Sequence, residues 1–173
     1  LKDKGIIEFL SAASILVNKY KEKNLEFIIY GDIDESNFNC LSMEDIEPYL
    51  CEQILYKGFS ESIQNRIKES SVVVLPSYRE GFSKVLMEAQ ANSRPVITSN
   101  VTGCRDVILE GESGFLVEPA NVDELVDKMK LFILNPKLIN EMGMCAYEHA
   151  IKNFTLGKAI EEHLKIFESI LNN

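Results

Sequence analysis

Five short runs of this chain are largely apolar: LEFIIYG at 25–31, ILYKGF at 54–59, VVVLP at 72–76, PVITS at 95–99 and GFLVE at 114–118. A strand with one wet face alternates apolar and polar residues, whereas a strand buried on both faces does not. Stretches of helical periodicity separate the runs. Ile6, Leu10, Ala13 and Val17 recur at helical spacing in 5–22. SMEDIEPYL at 42–50 opens with Ser42 as N-cap and an acidic first turn, and 60–70 and 82–92 are amphipathic. A short helix is expected around Arg105–Leu109. Such alternation specifies a parallel sheet covered by helices on both faces, a Rossmann-like, doubly wound α/β fold. After residue 118 only helices follow, at 121–134, 136–152 and 155–171. Pro136 stands at a helix start, where its missing N–H costs nothing. With 173 residues and no internal repeat or linker, 1–173 reads as one domain.

Charge and composition narrow the function. A net charge of −9 argues against a general nucleic-acid binder, which needs a basic face for phosphates, but leaves room for a local basic pocket. No apolar run reaches the roughly 18–20 residues that span a bilayer. There is no basic segment followed by an apolar one, as in a signal peptide. The chain starts at Leu1 rather than Met, so upstream sequence is expected. Cys40, Cys51, Cys104 and Cys145 show neither metal nor redox spacing. They read as reduced thiols, and His149 and His163 as surface histidines, which suits a reducing cytoplasm.

In doubly wound sheets, ligands sit beyond the carboxyl ends of the strands. The run 72–76 ends there in the loop Ser77-Tyr78-Arg79-Glu80-Gly81, followed by a helix starting near Phe82. The first N–H groups of that helix lack intrahelical partners and, with the helix dipole, attract an anion such as phosphate. Gly81 leaves room for close approach. A glutamate beside a phosphate must face a neutral hydrogen-bond donor, and sugar hydroxyls fit. Glu80 could equally serve only the helix dipole. Eight residues of helix rise roughly 12 Å, comparable to the span from a hexose to a ribose across a diphosphate. Glu80 and Glu88 therefore suit the two ends of a nucleoside-diphosphate sugar, although Glu88 taken alone reads as a solvated helix residue.

PSYREGFSKVLMEA at 76–89 resembles the signature of the retaining family-4 glycosyltransferases, which have the GT-B fold. The resemblance runs through KDKG at 2–5, YKGF at 56–59, RPVITSNVTGCRD at 94–106, GESGFLVEP at 111–119 and NPKLINEMGM at 135–144. It implies the C-terminal, donor-binding half of such an enzyme, with extra C-terminal helices. Residue by residue, it places Glu80 by the donor sugar and the backbone of Gly81, Phe82 and Ser83 on sugar and phosphate. Glu88 falls on the ribose hydroxyls, and Lys4 becomes a cationic clamp on the diphosphate leaving group. Gly58 and Phe59 are candidates to border the base, and Thr102, Gly103 and Arg105 to touch sugar or phosphate. Arg105 is equally placed to pair with Asp106 or Glu110.

The implied activity is hexose or N-acetylhexosamine transfer from a nucleotide sugar, with UDP as the expected carrier. The acceptor would be a glycan or lipid-linked precursor of capsule or lipopolysaccharide, at the cytoplasmic face of the membrane. No metal ligands are assigned, and no cofactor or strict metal requirement is expected. The acceptor half and the central first strand of this half lie outside the sequence. The sheet should therefore show unpaired neighbours, self-association is conceivable, and the fragment should bind donor weakly with little transfer. The stripe Leu156, Ile160, Leu164, Phe167 and Leu171 reads as a packing face, part of it expected to be exposed and to make oligomer or crystal contacts. The competing reading is a non-catalytic doubly wound regulatory module, for which Asp32 and Asp34 are the faint candidates.

Overall fold

The computed structural model describes residues 1–21, 24–34 and 36–171. A 3-10 turn at Lys2–Lys4 leads into α1 (Ile6–Lys19), followed by β1 (Phe27–Ile29), α2 (Met43–Ile46), a 3-10 turn at Glu47–Tyr49 and β2 (Ile54–Tyr56). Next come α3 (Ile63–Glu69), β3 (Val73–Leu75), α4 (Lys84–Ala91), β4 (Val96–Ser99), a 3-10 turn at Arg105–Val107 and β5 (Gly114–Val117). Three helices close the chain: α5 (Val122–Leu134), α6 (Lys137–Asn153) and α7 (Leu156–Leu171). Every expected element is present, and most are shorter than the apolar runs suggest. The expected helical end at residue 22 lies outside the described residues. The 42–50 helix divides because Pro48 sits in the 3-10 turn, while Ser42 caps α2 in a reciprocal capping box with Asp45.

All pairings between strands are parallel, but they form two sheets rather than one. β1 pairs with β2, and β3–β4–β5 form a separate three-stranded sheet. Among the described residues, β1 and β3 each keep one edge without a partner strand. Side chains, not a hydrogen-bond ladder, join the halves. Leu10 and Leu16 of α1 pack in one cluster with Phe27, Ile29 and Ile54 of the first sheet and with Ile97 and Val117 of the second. Leu125, Met129 and Phe132 of α5 complete it. A second cluster on the other face joins Val96 to Ile67, Leu86, Ala89 and Val107. Successive β4 residues thus enter opposite cores, and all four are buried, which explains the uninterrupted apolar pattern.

Two glycines fix the loops at the carboxyl ends. Gly5, at φ 69°, ends the first turn and begins α1, and a Cβ there would overlap the Pro76 carbonyl. Gly103, at φ 81°, lies equally close to the carbonyls of Glu80 and Gly81. Both positions need a left-handed backbone and an absent side chain.

The histidine expectation needs correction. His149 is half-buried on α6, its Nδ1 3.1 Å from Oε1 of the fully buried Gln90. The stripe on α7 is exposed along its whole length, further than the partial exposure expected. Leu156, Ile160, Leu164, Phe167 and Leu171 are all exposed, and α7 buries no residue. No described helix is long and apolar enough to cross a membrane.

Two outcomes follow from this packing. Gly5→Ala should lose about 2 kcal/mol or more in urea denaturation, since left-handed strain and displacement of Pro76 add; an unchanged midpoint would refute the close approach. Burial, with Lys152 second, holds the His149 pKa below its ordinary value near 6.5. As pH falls below about 6.5 the unfolded chain takes up this proton first, so stability should fall until pH passes the lower folded value. Chemical denaturation of His149→Asn across that window should show a shallower slope.

Candidate functional site

The loop after β3 is strapped to the chain's first turn. Asp3 O accepts hydrogen bonds from Ser77 Oγ and from the Tyr78 amide, both at 2.8 Å. Arg79 reaches the Asp3 carboxylate through Nε and Nη2, each at 2.7 Å. A hydrogen bond from Asn39 holds the Asp3 carboxyl below its usual range, with Arg79 adding to it and burial opposing. Tyr78 Oη donates to Glu8 Oε1 at 2.6 Å. That bond to a carboxylate, reinforced by burial, pushes the phenol up to about 12.

Within this clasp, Lys4 Nζ lies 2.6 Å from Glu80 Oε1. The Glu80 side chain is 13% exposed and that of Lys4 39%, so the pair sits at a partly covered surface with one face open to solvent. The two residues expected to act on the donor are therefore brought into direct contact. They come from opposite ends of a loop-to-loop bridge 76 residues apart in sequence.

α4 begins one step further on. Ser83 occupies the N-cap position, is buried, and makes no side-chain capping bond. Its amide donates to Gly103 O at 3.2 Å. The space where a Gly81 Cβ would lie is open to beyond 4 Å. The helix start thus has no capping side chain and a clear approach, as an anion at its N–H groups requires. Phe82 is 53% exposed and rests edge-on against Phe154, ring centroids 5.8 Å apart. Glu88, 19% exposed, is not the solvated glutamate of the alternative reading; Lys84 Nζ stands 3.6 Å from its Oε1. Lys84 was not singled out from sequence, although its spacing of four from Glu88 on a helix is the signal for such a pair.

The third loop buttresses the first two. Gly103 N donates to Asp106 Oδ2 at 3.0 Å, and Arg105 Nη2 donates to Thr102 Oγ1 at 3.3 Å. Arg105 faces Asp106 at 4.0 Å, whereas Glu110 pairs with Lys128. Cys104 is fully buried; burial first, and then the nearby Glu80 charge, raise its thiol pKa. Such a thiol is unreactive and structural.

Gly58 and Phe59 belong to another part of the rim. Gly58 O accepts from Gly31 N at 2.9 Å, which ties the ends of β1 and β2. Phe59, 71% exposed, lines an open cleft of about 570 Å³ with Tyr30, Lys57, Glu61 and Arg66. The Arg66 guanidinium lies over the Tyr30 ring at 5.8 Å. Glu80 and Glu88 are not in the walls of this cleft. Among the described residues, no three His, Cys, Asp or Glu side chains gather as metal ligands.

Comparison with known proteins agrees with this geometry. The family described as "Glycosyl transferases group 1" matches residues 1–149. The Staphylococcus aureus capsular polysaccharide biosynthesis glycosyltransferase CapM is 33% identical over 147 residues, covering 83% of this chain and 37% of CapM. The C-terminal domain of the group 1 glycosyl transferase LpcC from Francisella tularensis superposes with a TM-score of 0.81 at 25% identity, covering 90% of this chain and 82% of that domain. A variant of S. aureus TarM, solved with fondaparinux, alpha-GlcNAc-glycerol and UDP, superposes at 0.83 and 26% identity, covering 96% of this chain and 33% of TarM. The chain thus spans well under half the length of these full-length relatives and most of a domain solved separately. A parallel α/β core whose carboxyl-end loops bring Lys4 to Glu80 at an uncapped helix start, matched along 149 residues, belongs to the group 1 glycosyltransferase family.

Proposed function

We propose that this chain is the donor-binding half of a retaining glycosyltransferase that uses a nucleoside-diphosphate sugar, with UDP as carrier, in the synthesis of a cell-surface polysaccharide. The observation that carries the reading is the Lys4–Glu80 pair at 2.6 Å beside the open start of α4. CapM, a capsule-biosynthesis enzyme, and TarM, solved with UDP, point the same way.

The diphosphate lies against the N–H groups of Gly81, Phe82 and the first turn of α4, where the helix dipole favours it, while the Ser83 amide stays on Gly103 O. Lys4, paired with Glu80 in the free protein, turns its ammonium to the diphosphate when donor binds. Glu80, released from that contact, accepts hydrogen bonds from sugar hydroxyls. Glu88 accepts from the ribose, and the Phe59 cleft takes the base. In the transfer step the bond between the anomeric carbon and the diphosphate oxygen breaks, and the electron pair leaves with the nucleoside diphosphate. Lys4 stabilises that developing charge in a partly desolvated setting. The acceptor oxygen bonds to the anomeric carbon on the face being vacated, which retains configuration, and its proton passes to the departing phosphate. Thr102 and Arg105 edge the same loop cluster. No metal is assigned a role.

Thermal unfolding with added UDP, GDP or ADP tests the reading. A nucleotide at 100 times its Kd should stabilise the chain by about 2.7 kcal/mol. UDP should give the largest shift, and EDTA should leave it unchanged. Glu88→Ala should remove most of that shift while leaving the unliganded Tm within a few degrees. No response to any of the three nucleotides would favour a non-catalytic module instead.

A further inference from the structure

A chain of side-chain contacts runs from the helix start into the C-terminal helices. Phe82, beside the open Gly81, meets Phe154 edge-to-face at 5.8 Å. Phe154 follows α6 directly, its amide donating to Ala150 O at 2.8 Å. Its ring meets the His149 ring at 5.0 Å and 86°. His149 Nδ1 lies 3.1 Å from Gln90 Oε1 on α4. Gln90 is fully buried, and its Nε2 donates to Val107 O at 2.7 Å and to Leu86 O at 3.4 Å. Both amide hydrogens of Gln90 are therefore committed, and its Oε1 must accept. That fixes the proton of His149 on Nδ1 and orients the ring.

The chain of contacts starts and ends on one unit. Gln90 belongs to α4, Phe82 to the loop entering α4, and the bridge between them is made by α6. Gly143 of α6 also packs too closely on Ser93 O for a Cβ to fit, which fixes the separation of α6 from the end of α4. Residues 81–83 are also held by the Gly103 loop and, at Ser83 O, by the Met87 amide of α4. Phe82 is half exposed and its ring meets Phe154 edge-on, so that contact adds a side-chain restraint to a loop otherwise held through its backbone.

We propose that His149 and Phe154 are positioning residues for the donor loop. Anchored by Gln90, they hold the Phe82 ring and so aim the amides of Gly81 and Phe82 at the diphosphate. Neither touches the ligand. The inference deepens the proposed function at the same site and rests on it for the identity of the ligand, but not for the mechanical coupling.

Two readouts on this chain separate those claims. Hydrogen exchange of the free protein reads the coupling alone. In Phe154→Leu the Ser83 amide, which donates to Gly103 O, should exchange about tenfold faster, the size of one lost aromatic pair, and Phe154→Tyr should restore protection. Ligand-detected NMR titrations then compare UDP with uridine. Phe154→Leu should weaken UDP by about the same factor and leave uridine unchanged, because uridine lacks the diphosphate. His149→Asn keeps a donor for Gln90 but loses the ring against Phe154. It should retain the protein's Tm near neutral pH and still loosen residues 81–83. Unchanged exchange in both Phe154→Leu and His149→Asn overturns the proposal, as does equal weakening of UDP and uridine. If UDP fails to bind the wild-type chain while exchange responds as expected, the proposed function falls and the coupling stands.

Discussion

The site depends on one close approach: the backbone at Gly5 lies against the Pro76 carbonyl, and Asp3 O accepts two hydrogen bonds from the loop that follows. This contact joins segments more than seventy residues apart in sequence. It brings the half-exposed ammonium of Lys4 to the largely covered carboxylate of Glu80. A Cβ at residue 5 would hold the two loops apart, and the ion pair, the Arg79–Asp3 contact and the Tyr78–Glu8 hydrogen bond all lie beyond that point of closure. The remaining geometry of the rim is built outward from it.

Three cations around the loop after β3 are already matched. Lys4 stands with Glu80, Arg79 with Asp3 and Lys84 with Glu88. In a chain of net charge −9 this keeps the free site close to neutral and avoids strong non-specific attraction for polyanions. It also makes anion binding an exchange. A diphosphate bound as proposed would draw Lys4 from Glu80, and the carboxylate left behind would need hydroxyl donors to replace the ammonium. A phosphate alone satisfies only one side of that exchange. A sugar diphosphate satisfies both, which gives a physical reason for the lysine and the glutamate to be held in contact.

Much of this was legible in the sequence. Five apolar runs gave five parallel strands, because strands buried on both faces leave an unbroken pattern, as Val96–Ser99 shows. Glu80 and Gly81 were singled out by position at the carboxyl end of β3 and Gly103 by its place after β4, whereas Ser83 came from the resemblance. Lys4 was found only through resemblance, since a lysine near a chain start carries no local signal. The division into two sheets matches the expectation of unpaired neighbours, though not that of a single wound sheet. The Lys84–Glu88 pair and the His149–Gln90 contact were missed. Lys84 was overlooked despite helical spacing, while His149 and Gln90 are 59 residues apart and their meeting follows from α6 crossing α4.

The two sheets divide the proposed donor site between them. The Phe59 cleft belongs to the β1–β2 half, and Glu80, α4 and the Gly103 loop belong to the β3–β5 half. Between the halves run α1, its packing on α5 and the clasp at Asp3, all of them side-chain or loop contacts. A nucleoside diphosphate with its base in the first half and its phosphates in the second would add a covalent bridge across the division. Ligand binding would then draw together halves that no backbone ladder joins among the described residues. In that arrangement, the energy gained at the base is coupled to the orientation of the diphosphate, where the chemistry occurs. Small relative movement of the two halves would change the distance between cleft and helix start, and with it the fit of any ligand that must reach both.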